Sequence, residues 1–308
     1  MTTPVAFLVF NRPDCTARTL AAIREARPPR LLVVADGPRP HRSEDREKCA
    51  AVRRLIADGV DWPCEVECEY AEQNLGCAAR VASGLTWAFS RTERLVVIED
   101  DCLPDPSFFW FCDELLEKYA DDTRVGQICG GPRYFDEIVR PTSYIFSRYG
   151  PIWGWASWRR AWESYDLRLS NWPSLRASGG LKAVIADETE YNLRAALYDR
   201  LYARPPGTWD YQWGYAKLSQ AMLSIIPCRN LVENIGFGHE GTHTTDGAAA
   251  SLRRFKLETP LIHPAFILPD AEFDRSYAAE FKKESLTPWW RRAARKIRRI
   301  TIPQPAAG

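Results

Sequence analysis

Residues 95–101 read LVVIEDD, four apolar residues followed directly by three acids. A continuous apolar run is typical of a strand that is buried on both faces of a parallel sheet. Three carboxylates at the end of such a strand lose hydration, which costs free energy unless a cation compensates their charge. Hard divalent cations prefer carboxylate and phosphate oxygens. The stretch therefore predicts a buried strand that ends in a metal and phosphate site at Glu99, Asp100 and Asp101.

A purely structural role is the alternative for these acids. An acidic turn can cap a helix, and a helix is expected to begin near Pro106. Asp105 alone could supply that cap, which leaves the three preceding acids unexplained. We therefore favour the metal site over the cap.

Strand and helix patterns alternate before this stretch. Two further apolar runs, VAFLVF at 5–10 and LLVVA at 31–35, predict buried strands. Residues 64–70 alternate more and are expected nearer an edge of the sheet. Helical patterns cover Thr16–Ala26, Ser43–Asp58 with Ser43 as its N-cap, and Cys77–Ser90. This alternation predicts an α/β fold with a mostly parallel sheet, helices on both faces, and ligands at the carboxyl ends of the strands.

The segments after the predicted strands are polar but lack a phosphate-binding glycine loop. Asn11-Arg12-Pro13-Asp14 follows the first strand, and Asp36-Gly37-Pro38 follows the second. Dinucleotide-binding and P-loop enzymes place a Gly-rich turn after the first strand. Its absence counts against both classes, and also against a nucleotidyltransferase.

The second half of the chain is less regular and rich in tryptophan, of which the chain has 12. Trp158 and Trp162 are spaced i, i+4 and are expected in the core. For Trp153 and Trp155, core packing and a sugar-stacking wall both remain open. The expected elements are helices at 159–165, 190–202 and 211–222, short strands at 144–146 and 223–226, and a loop at 236–250.

Composition and charge limit the class of protein. A 45% apolar fraction is ordinary for a soluble globular protein. The nine cysteines are scattered and without paired spacing, which favours reduced thiols in a cytosolic protein. The sequence shows no signal peptide, and no apolar run is long enough to span a bilayer. These features predict a cytoplasmic protein, with peripheral attachment to the inner face of the membrane as a further option.

The carboxyl-terminal tail carries a concentrated positive charge. Residues 282–299 hold eight Lys/Arg and one Glu, a net charge of +7, so the rest of the chain sums to −6. This asymmetry is not typical of nucleic-acid binding. Residues 288–300 (PWWRRAARKIRRI) form an amphipathic pattern that suits an anionic membrane surface. A tail that docks on the protein's own body is the equal alternative.

Several motifs in order resemble a known family. These are VFNRPD, a strand ending in ADG, NLGCAAR and VVIEDDCLPDPSFF, followed by PIWGWASW, TWDYQWGY and NIGFGHEGTHT. The combination resembles inverting glycosyltransferases of the GT-A fold, nearest to the N-acetylglucosaminyltransferase I group and its bacterial relatives. The resemblance extends to about residue 243. It implies a Rossmann-like, mostly parallel sheet flanked by helices, with a smaller mixed region on the acceptor side.

The resemblance also implies site roles. Asp101 would be the direct ligand of Mn²⁺ or Mg²⁺, while Glu99 and Asp100 would contact the donor sugar and ribose. Arg12 and Asp36 would lie near the nucleotide base. Further donor-side contacts are expected from Arg80 at the diphosphate, from Trp153 and Trp155, and from His243 at a phosphate or the metal. For Arg12 and Arg80 an ordinary ion pair is an equally good interpretation.

Inverting transfer needs a carboxylate that deprotonates the acceptor hydroxyl. Asp210, between Trp209 and Tyr211, is the candidate for this base, because a Trp-Asp segment carries the base in the family that the chain resembles. Glu240 is the second choice, and a helix N-cap is the structural alternative for Asp210. The glycine-rich residues 236–243 are expected to form a loop that closes over the donor.

The sequence thus predicts one glycosyltransferase domain at 1–281 and a basic tail at 282–308. Residues 1–130 would bind the nucleotide sugar, and residues 131–281 would bind the acceptor and supply the closing loop. The donor is a nucleoside-diphosphate sugar, with a UDP-sugar favoured by the resemblance, and the acceptor is a glycan or a lipid-linked glycan. Two alternatives remain open at this stage, a sugar nucleotidyltransferase and a catalytically inactive carbohydrate-binding protein.

Overall fold

The computed structural model describes residues 1–204, 207–236 and 252–287. The strands are β1 Val5–Val9, β2 Arg30–Ala35, β3 Glu65–Tyr70, β4 Arg94–Glu99, β5 Cys102–Pro104, β6 Val125–Cys129, β7 Tyr144–Ser147, β8 Trp155–Trp158, β9 Leu223–Pro227 and β10 Val232–Asn234. The helices are α1 Pro13–Ala26, α2 Ser43–Gly59, α3 Cys77–Arg91, α4 Pro106–Lys118, α5 Arg159–Trp162, α6 Trp172–Ser178, α7 Glu188–Ala203, α8 Asp210–Ser219 and α9 Ala271–Leu286.

Within the described residues, eight strands form one mixed sheet in the order β3-β2-β1-β4-β8-β6-β9-β7. The pairs β1–β2, β1–β4, β2–β3 and β6–β9 are parallel. Strands β8 and β7 run antiparallel to their neighbours. The sheet is therefore mostly parallel, and β1, β2 and β4 end at the same edge. Strands β5 and β10 form a separate antiparallel pair beside that edge.

Both faces of the parallel half are covered. In β1, Val5, Phe7 and Val9 belong to one core together with residues of α1, α2 and α4. The alternate residues Ala6 and Leu8 belong to a second core with α3 and α8. Because successive side chains of a strand point to opposite faces, a strand covered on both sides must be apolar throughout. The continuous apolar runs of the sequence have this cause, and the predicted α/β fold with a mostly parallel sheet is confirmed.

The predicted elements match the observed ones closely in the first half. Strand β3 lies at an edge of the sheet, as its alternating pattern predicted. Asp105 caps α4, because its carboxylate accepts the backbone N–H of Ser107. The prediction that Ser43 is the N-cap of α2 was wrong by one residue: Arg42 holds that position without a side-chain cap.

A third core lies within the second half of the chain. It is built from aromatic residues of α6, α7 and α8, with Trp172, Tyr198 and Tyr215 packed edge to face. In the described part of the chain, no helix is both long and apolar enough to cross a bilayer. The basic residues 288–300 lie outside the described residues, so their predicted membrane contact stays a prediction.

Candidate functional site

A cavity of about 580 Å³ opens at the carboxyl ends of β1, β2 and β4. Eight of the residues singled out from the sequence for roles at one site line this cavity. They are Arg12, Asp36, Arg80, Glu99, Asp100, Asp101, Trp153 and Asp210. Parallel strands that end at the same edge bring their following segments together. This is why Arg12, Asp36 and the acids at 99–101 meet in one cavity.

Arg12 is the cation that contacts the acid cluster. Its Nη1 donates to Asp101 Oδ2 at 2.9 Å, and its Nη2 donates to Asp100 Oδ1. The opposite oxygen of Asp101, Oδ1, has only a weak contact with the Cys102 thiol at 3.7 Å. Asp101 thus keeps one carboxylate oxygen largely unoccupied, on a side chain that is 17% exposed.

The charges of the cluster are poorly compensated. Burial raises the pKa of Asp100 to about 6, although Arg12 favours its charged form. The pKa of Glu99 is raised well above its usual range by burial and then by the charges of Asp101 and Asp100. Glu99 Oε1 is buried and has no hydrogen-bond partner. A buried carboxylate oxygen without a partner is costly, so a ligand that donates or carries positive charge would stabilise this cluster.

These residues fit a divalent cation that shares its shell with a phosphate ligand. The described residues contain no group of three or more His, Cys, Asp or Glu side chains that could hold a metal by themselves. Mg²⁺ and similar ions usually take only one or two carboxylates and complete their shell with phosphate and water. Asp101, with its largely unoccupied Oδ1, suits such a site, and the partnerless Glu99 Oε1 lies in the same cavity.

Asp36 lines the cavity and is bonded to the protein. Its carboxylate accepts four hydrogen bonds, from the backbone N–H of Gly37, Leu75 and Gly76 and from Asn74 Nδ2. A carboxylate has about four acceptor sites, so these bonds fill its capacity. Asp36 therefore orders the 74–76 turn that forms one wall of the cavity, and direct contact with a nucleotide base remains only a prediction.

Arg80 is also tied to the protein. Its Nε donates to the backbone oxygen of Ala35, and its Nη2 donates to Glu69 Oε2 at 2.8 Å and to the Glu69 backbone oxygen. Its side chain is only 6% exposed. The ion-pair interpretation of Arg80 therefore agrees with the geometry, and its predicted contact with the diphosphate stays a prediction.

Asp210 begins α8 and faces both the acid cluster and a second cavity. Thr208 Oγ1 donates to Asp210 Oδ1 and orients the carboxylate. The N-cap of α8 is Trp209, so Asp210 is not the cap. Asp210 lines the larger cavity together with the three acids, and its charge contributes to the raised pKa of both Glu99 and Cys77.

The second cavity has a volume of about 230 Å³ and lies between α7, α8 and α9. It adjoins the larger one, because four residues line both: Arg133, Ile152, Asp210 and Tyr211. Asp210 is the one carboxylate among these four. The site thus consists of two adjoining chambers, and Asp210 is a carboxylate that lines both.

The sequence leaves the roles of Trp153 and Trp155 open, and the structure places these two side chains in different surroundings. Trp153 lines the larger cavity, with the Arg133 guanidinium 5.7 Å from its ring. Trp155 is fully buried in the core and stacks on Trp209 at 5.8 Å. The expectation that Trp155 contacts the donor is corrected, because β8 turns it toward the face packed by α8. Trp158 and Trp162 are buried, as predicted.

Two predicted residues cannot be placed. His243 and the alternative base Glu240 lie outside the described residues. Of the predicted closing loop, only Gly236 is described. Its backbone lies against the acid cluster, since a Cβ at this position would be 2.3 Å from Asp101 Oδ2.

Two arginines of the site were not identified from the sequence. Arg39 lies 5.4 Å from the Phe10 ring and forms a two-point ion pair with the buried Asp45. Arg133 lies at the junction of the chambers with a backbone φ of 58°. Gly130 and Gly131 follow β6. No side chain fits at Gly131, since a Cβ there would lie 1.9 Å from the Asn230 side-chain oxygen. This pair of glycines is the sequence feature that could have indicated an unusual backbone conformation beside it, at Arg133.

Comparisons with known proteins give only weak similarity. No protein-family model matches the chain, and no curated protein is detectably similar in sequence. Among solved structures, a mannosyltransferase from Pyrobaculum calidifontis in complex with GDP-Man and Mn²⁺ is 14% identical, with a TM-score of 0.39 over 72% of this chain and 71% of its own. A UDP-glucose pyrophosphorylase complexed with UDP-glucose is 10% identical, with a TM-score of 0.40 over 78% and 96%. HddC from Yersinia pseudotuberculosis is 12% identical, with a TM-score of 0.34 over 53% and 80%. Similarity at this level identifies neither a family nor a substrate for this chain.

Proposed function

We propose that this chain is a metal-dependent inverting glycosyltransferase. It transfers a sugar from a nucleoside-diphosphate sugar, with a UDP-sugar favoured by the sequence resemblance, to a glycan or lipid-linked acceptor. The observation that carries the proposal is the shared carboxylate: Asp210 lines both chambers, while the acid cluster lines only the larger one. A single-displacement transfer needs this arrangement, because the base must reach the acceptor hydroxyl at the point where the donor is attacked.

The larger chamber is assigned to the donor. A divalent cation held by Asp101 would neutralise charge on the departing diphosphate. Arg12 bridges Asp100 and Asp101 and holds both carboxylates in place. Trp153 offers an apolar ring at the wall of this chamber, which suits a sugar face. Its volume of about 580 Å³ lies within the range of roughly 300–1,000 Å³ that is usual for small-molecule sites.

The protein's own contribution to the chemistry is centred on Asp210. The Asp210 carboxylate accepts the proton of the acceptor hydroxyl as that oxygen forms its bond to the anomeric carbon. The bond between the anomeric carbon and the diphosphate oxygen breaks at the same time, and the nucleoside diphosphate leaves. Thr208 fixes the orientation of the carboxylate through its hydrogen bond to Oδ1, so the base does not have to be ordered during the reaction.

The first loop of the fold argues against a sugar nucleotidyltransferase. Phe10, Asn11 and Arg12 connect β1 to α1 without a glycine, whereas nucleotide-building enzymes commonly use a Gly-rich turn there. Instead, this loop places the Arg12 guanidinium on the acid cluster. An inactive binding protein would not need a carboxylate at the junction of the two chambers.

Product analysis tests the proposal. The full-length protein is incubated with Mn²⁺ and a panel of nucleoside-diphosphate sugars, with and without a glycan acceptor mixture. The proposed function predicts release of a nucleoside diphosphate, loss of release by at least about 100-fold in Asp210→Asn, and no effect of Asp58→Asn on the exposed face of α2. Formation of a nucleoside triphosphate from added pyrophosphate would instead identify a nucleotidyltransferase. Full transfer by Asp210→Asn would refute the base assignment.

A further inference from the structure

The smaller chamber has a strongly basic lining. Its lining residues include five cationic side chains and only two carboxylates. The cations are Arg133, Arg148, Arg194, Arg200 and Lys217, and the carboxylates are Asp210 and Glu284. A neutral sugar does not require this excess of positive charge, whereas an anionic group is attracted by it.

Two of the arginines form ion pairs with carboxylates that do not line the chamber, but each keeps N–H groups that can donate to a ligand. Arg148 Nη1 donates to Asp274 at 2.8 Å, and Arg194 Nε donates to Glu190 at 2.7 Å. The Arg194 side chain is 10% exposed, and its Nη2 has no hydrogen-bond partner. Its guanidinium is held between the rings of Tyr149 and Phe281 at 4.7 and 4.1 Å. A buried guanidinium nitrogen without an acceptor is costly unless a ligand brings one.

Lys217 adds a buried ammonium that no carboxylate of the described residues neutralises. Its Nζ donates to Gln127 Oε1 and to Ser224 Oγ, the latter at 2.8 Å. The ammonium lies directly under Gly150, because a Cβ at Gly150 would be 2.3 Å from Nζ. Gly150 itself lines the chamber. The charge is therefore separated from the chamber by one layer of backbone, in surroundings where its field is weakly screened.

Arg133 lines both chambers. Its side chain is 30% exposed, and the carboxylate that pairs with it among the described residues, Glu284, is 4.0 Å away. The residue has a φ of 58°, a backbone conformation that is unfavourable for a side chain with a Cβ and is often retained for function. Its guanidinium lies 5.2 Å from the Tyr134 ring and 5.7 Å from the Trp153 ring. It can thus reach a group in either chamber.

We infer that the smaller chamber binds an acceptor that carries an anionic group, a carboxylate or a phosphate, next to the sugar hydroxyl that is attacked. This inference rests on the proposed function. The aromatic side chains of the lining would contact the ring of the acceptor sugar. Arg133 and Arg194 would contact its anionic group, and the nearby charge of Lys217 would add to the attraction. A volume of about 230 Å³ is below the usual range for drug-sized ligands, which suits one charged sugar residue.

Binding of simple charged sugars tests the inference without requiring transfer. Isothermal titration of the full-length protein compares glucuronic acid, glucose 1-phosphate and glucose. The inference predicts that at least one of the two anionic sugars binds about tenfold or more tightly than glucose, because a charged hydrogen bond contributes about 1.5–3 kcal/mol. Preference for glucuronic acid indicates a carboxylate acceptor, and preference for glucose 1-phosphate indicates a phosphate acceptor. Equal binding of all three would overturn the inference.

Two variants locate the binding. Lys217→Met removes the ammonium from a residue that lines only the smaller chamber, and it leaves Gln127 bonded to Trp213 Nε1 at 3.1 Å. Arg133→Gln removes a charge from a partly exposed side chain, and Arg133→Lys retains it. Lys217→Met and Arg133→Gln should each weaken binding of the anionic sugar about tenfold, while Arg133→Lys and the exposed Arg54→Gln should keep most of it. Unchanged binding in both Lys217→Met and Arg133→Gln would contradict the inference, whatever the enzyme does with donors.

Discussion

At the scale of single residues, the site depends on backbone and side-chain atoms packed so closely that no additional atom fits between them. The backbone N–H of Ile235 donates to the Asp101 backbone oxygen at 2.7 Å. This contact brings Gly236 against the acid cluster, where a Cβ would lie 2.3 Å from Asp101 Oδ2 and 2.9 Å from Arg12 Nη1. Asp101 is the proposed metal ligand, and its ion pair with Arg12 holds it in position.

Gly236→Ala should therefore damage the site without unfolding the protein. The added methyl group must displace Asp101 or Arg12, and we expect the affinity for Mn²⁺ in the presence of a nucleoside diphosphate to fall about tenfold. The melting temperature of the ligand-free protein should change little, because the displaced side chains are partly exposed. Titration calorimetry gives the first quantity and calorimetric melting the second. Wild-type metal affinity in this variant would contradict the assignment of Asp101.

Lys217 makes a stability prediction with a definite pH dependence. Burial lowers its pKa to about 8 in the folded protein, from an ordinary value of 10.5. Between these two values the unfolded chain binds more protons, so the stability of the wild type rises with pH in that range. At pH 7 the buried charge costs the folded state a few kcal/mol, on the order of 1–3 kcal/mol.

Lys217→Met should thus be more stable than the wild type at pH 7, and the difference should shrink as the pH rises from 8 toward 10. Urea unfolding at pH 7 and pH 10 measures both free energies. A difference that stays constant between the two pH values would show that Lys217 does not carry a buried charge.

Some residue positions could be predicted from the sequence, and others could not. The acid cluster was recognisable because carboxylates directly after an apolar strand need an explanation. The position of Trp155 could not be determined, because its side of the sheet depends on the register of β8 against β4 and β6. Arg133 was missed because its importance comes from a backbone conformation and from two chambers that the sequence does not display.

At the scale of elements, α2 is joined to the site by one buried carboxylate. Asp45 is fully buried and accepts hydrogen bonds from the Arg39 guanidinium and backbone and from Asn11. The Arg39 side chain holds its pKa at about 2, below the ordinary 3.8. Through Arg39 and its contact with Phe10, α2 fixes the loop that follows β1.

Asp45→Asn should reduce the free energy of unfolding by about 1–2 kcal/mol at pH 7. A lowered pKa in the folded state stabilises the protein above the unfolded value of 3.8, and this contribution is lost as the pH falls toward 2. The difference between wild type and variant should therefore be largest near neutral pH and decrease below pH 4. Urea unfolding along this pH series checks the trend, and the exposed Asp58→Asn is the matched control. A difference that is independent of pH would rule out the ion pair as its cause.

The elements of the first half were predictable because β1, β2 and β4 are covered on both faces, β3 has the alternating pattern of an edge strand, and the helices between them have one apolar face. The elements after residue 120 were harder to predict. Strand β6, with Gly126 within it, and strand β8, with two tryptophans, have no clear period-2 pattern. Their strand conformation comes from pairing with each other and with β4 and β9, which is information about distant parts of the chain.

At the scale of the whole molecule, the sheet brings two chambers to one edge and the chain continues into a basic tail. Residues 288–308 of this tail lie outside the described residues, and their predicted membrane contact can be tested separately. Removal of residues 288–308 should abolish sedimentation with vesicles that contain about 30% anionic lipid, because each basic residue near such a surface contributes about 1 kcal/mol. Equal sedimentation of both proteins would exclude the tail as a membrane contact. Neither result affects the assignment of the chambers.

The central claim is that the larger chamber binds a nucleoside-diphosphate sugar through a divalent cation at Asp101. The most direct measurement is a thermal-shift series with UDP-, GDP-, ADP- and dTDP-sugars, each with Mn²⁺ and with EDTA, on the wild type and on Asp101→Asn. A ligand at about 100 times its Kd stabilises the folded state by about 2.7 kcal/mol, which raises the melting temperature by about 5 °C. We expect such a shift for at least one nucleotide sugar with Mn²⁺, no shift with EDTA, and no shift in Asp101→Asn. A shift that persists in EDTA or in Asp101→Asn, or no shift with any of these donors, would contradict it.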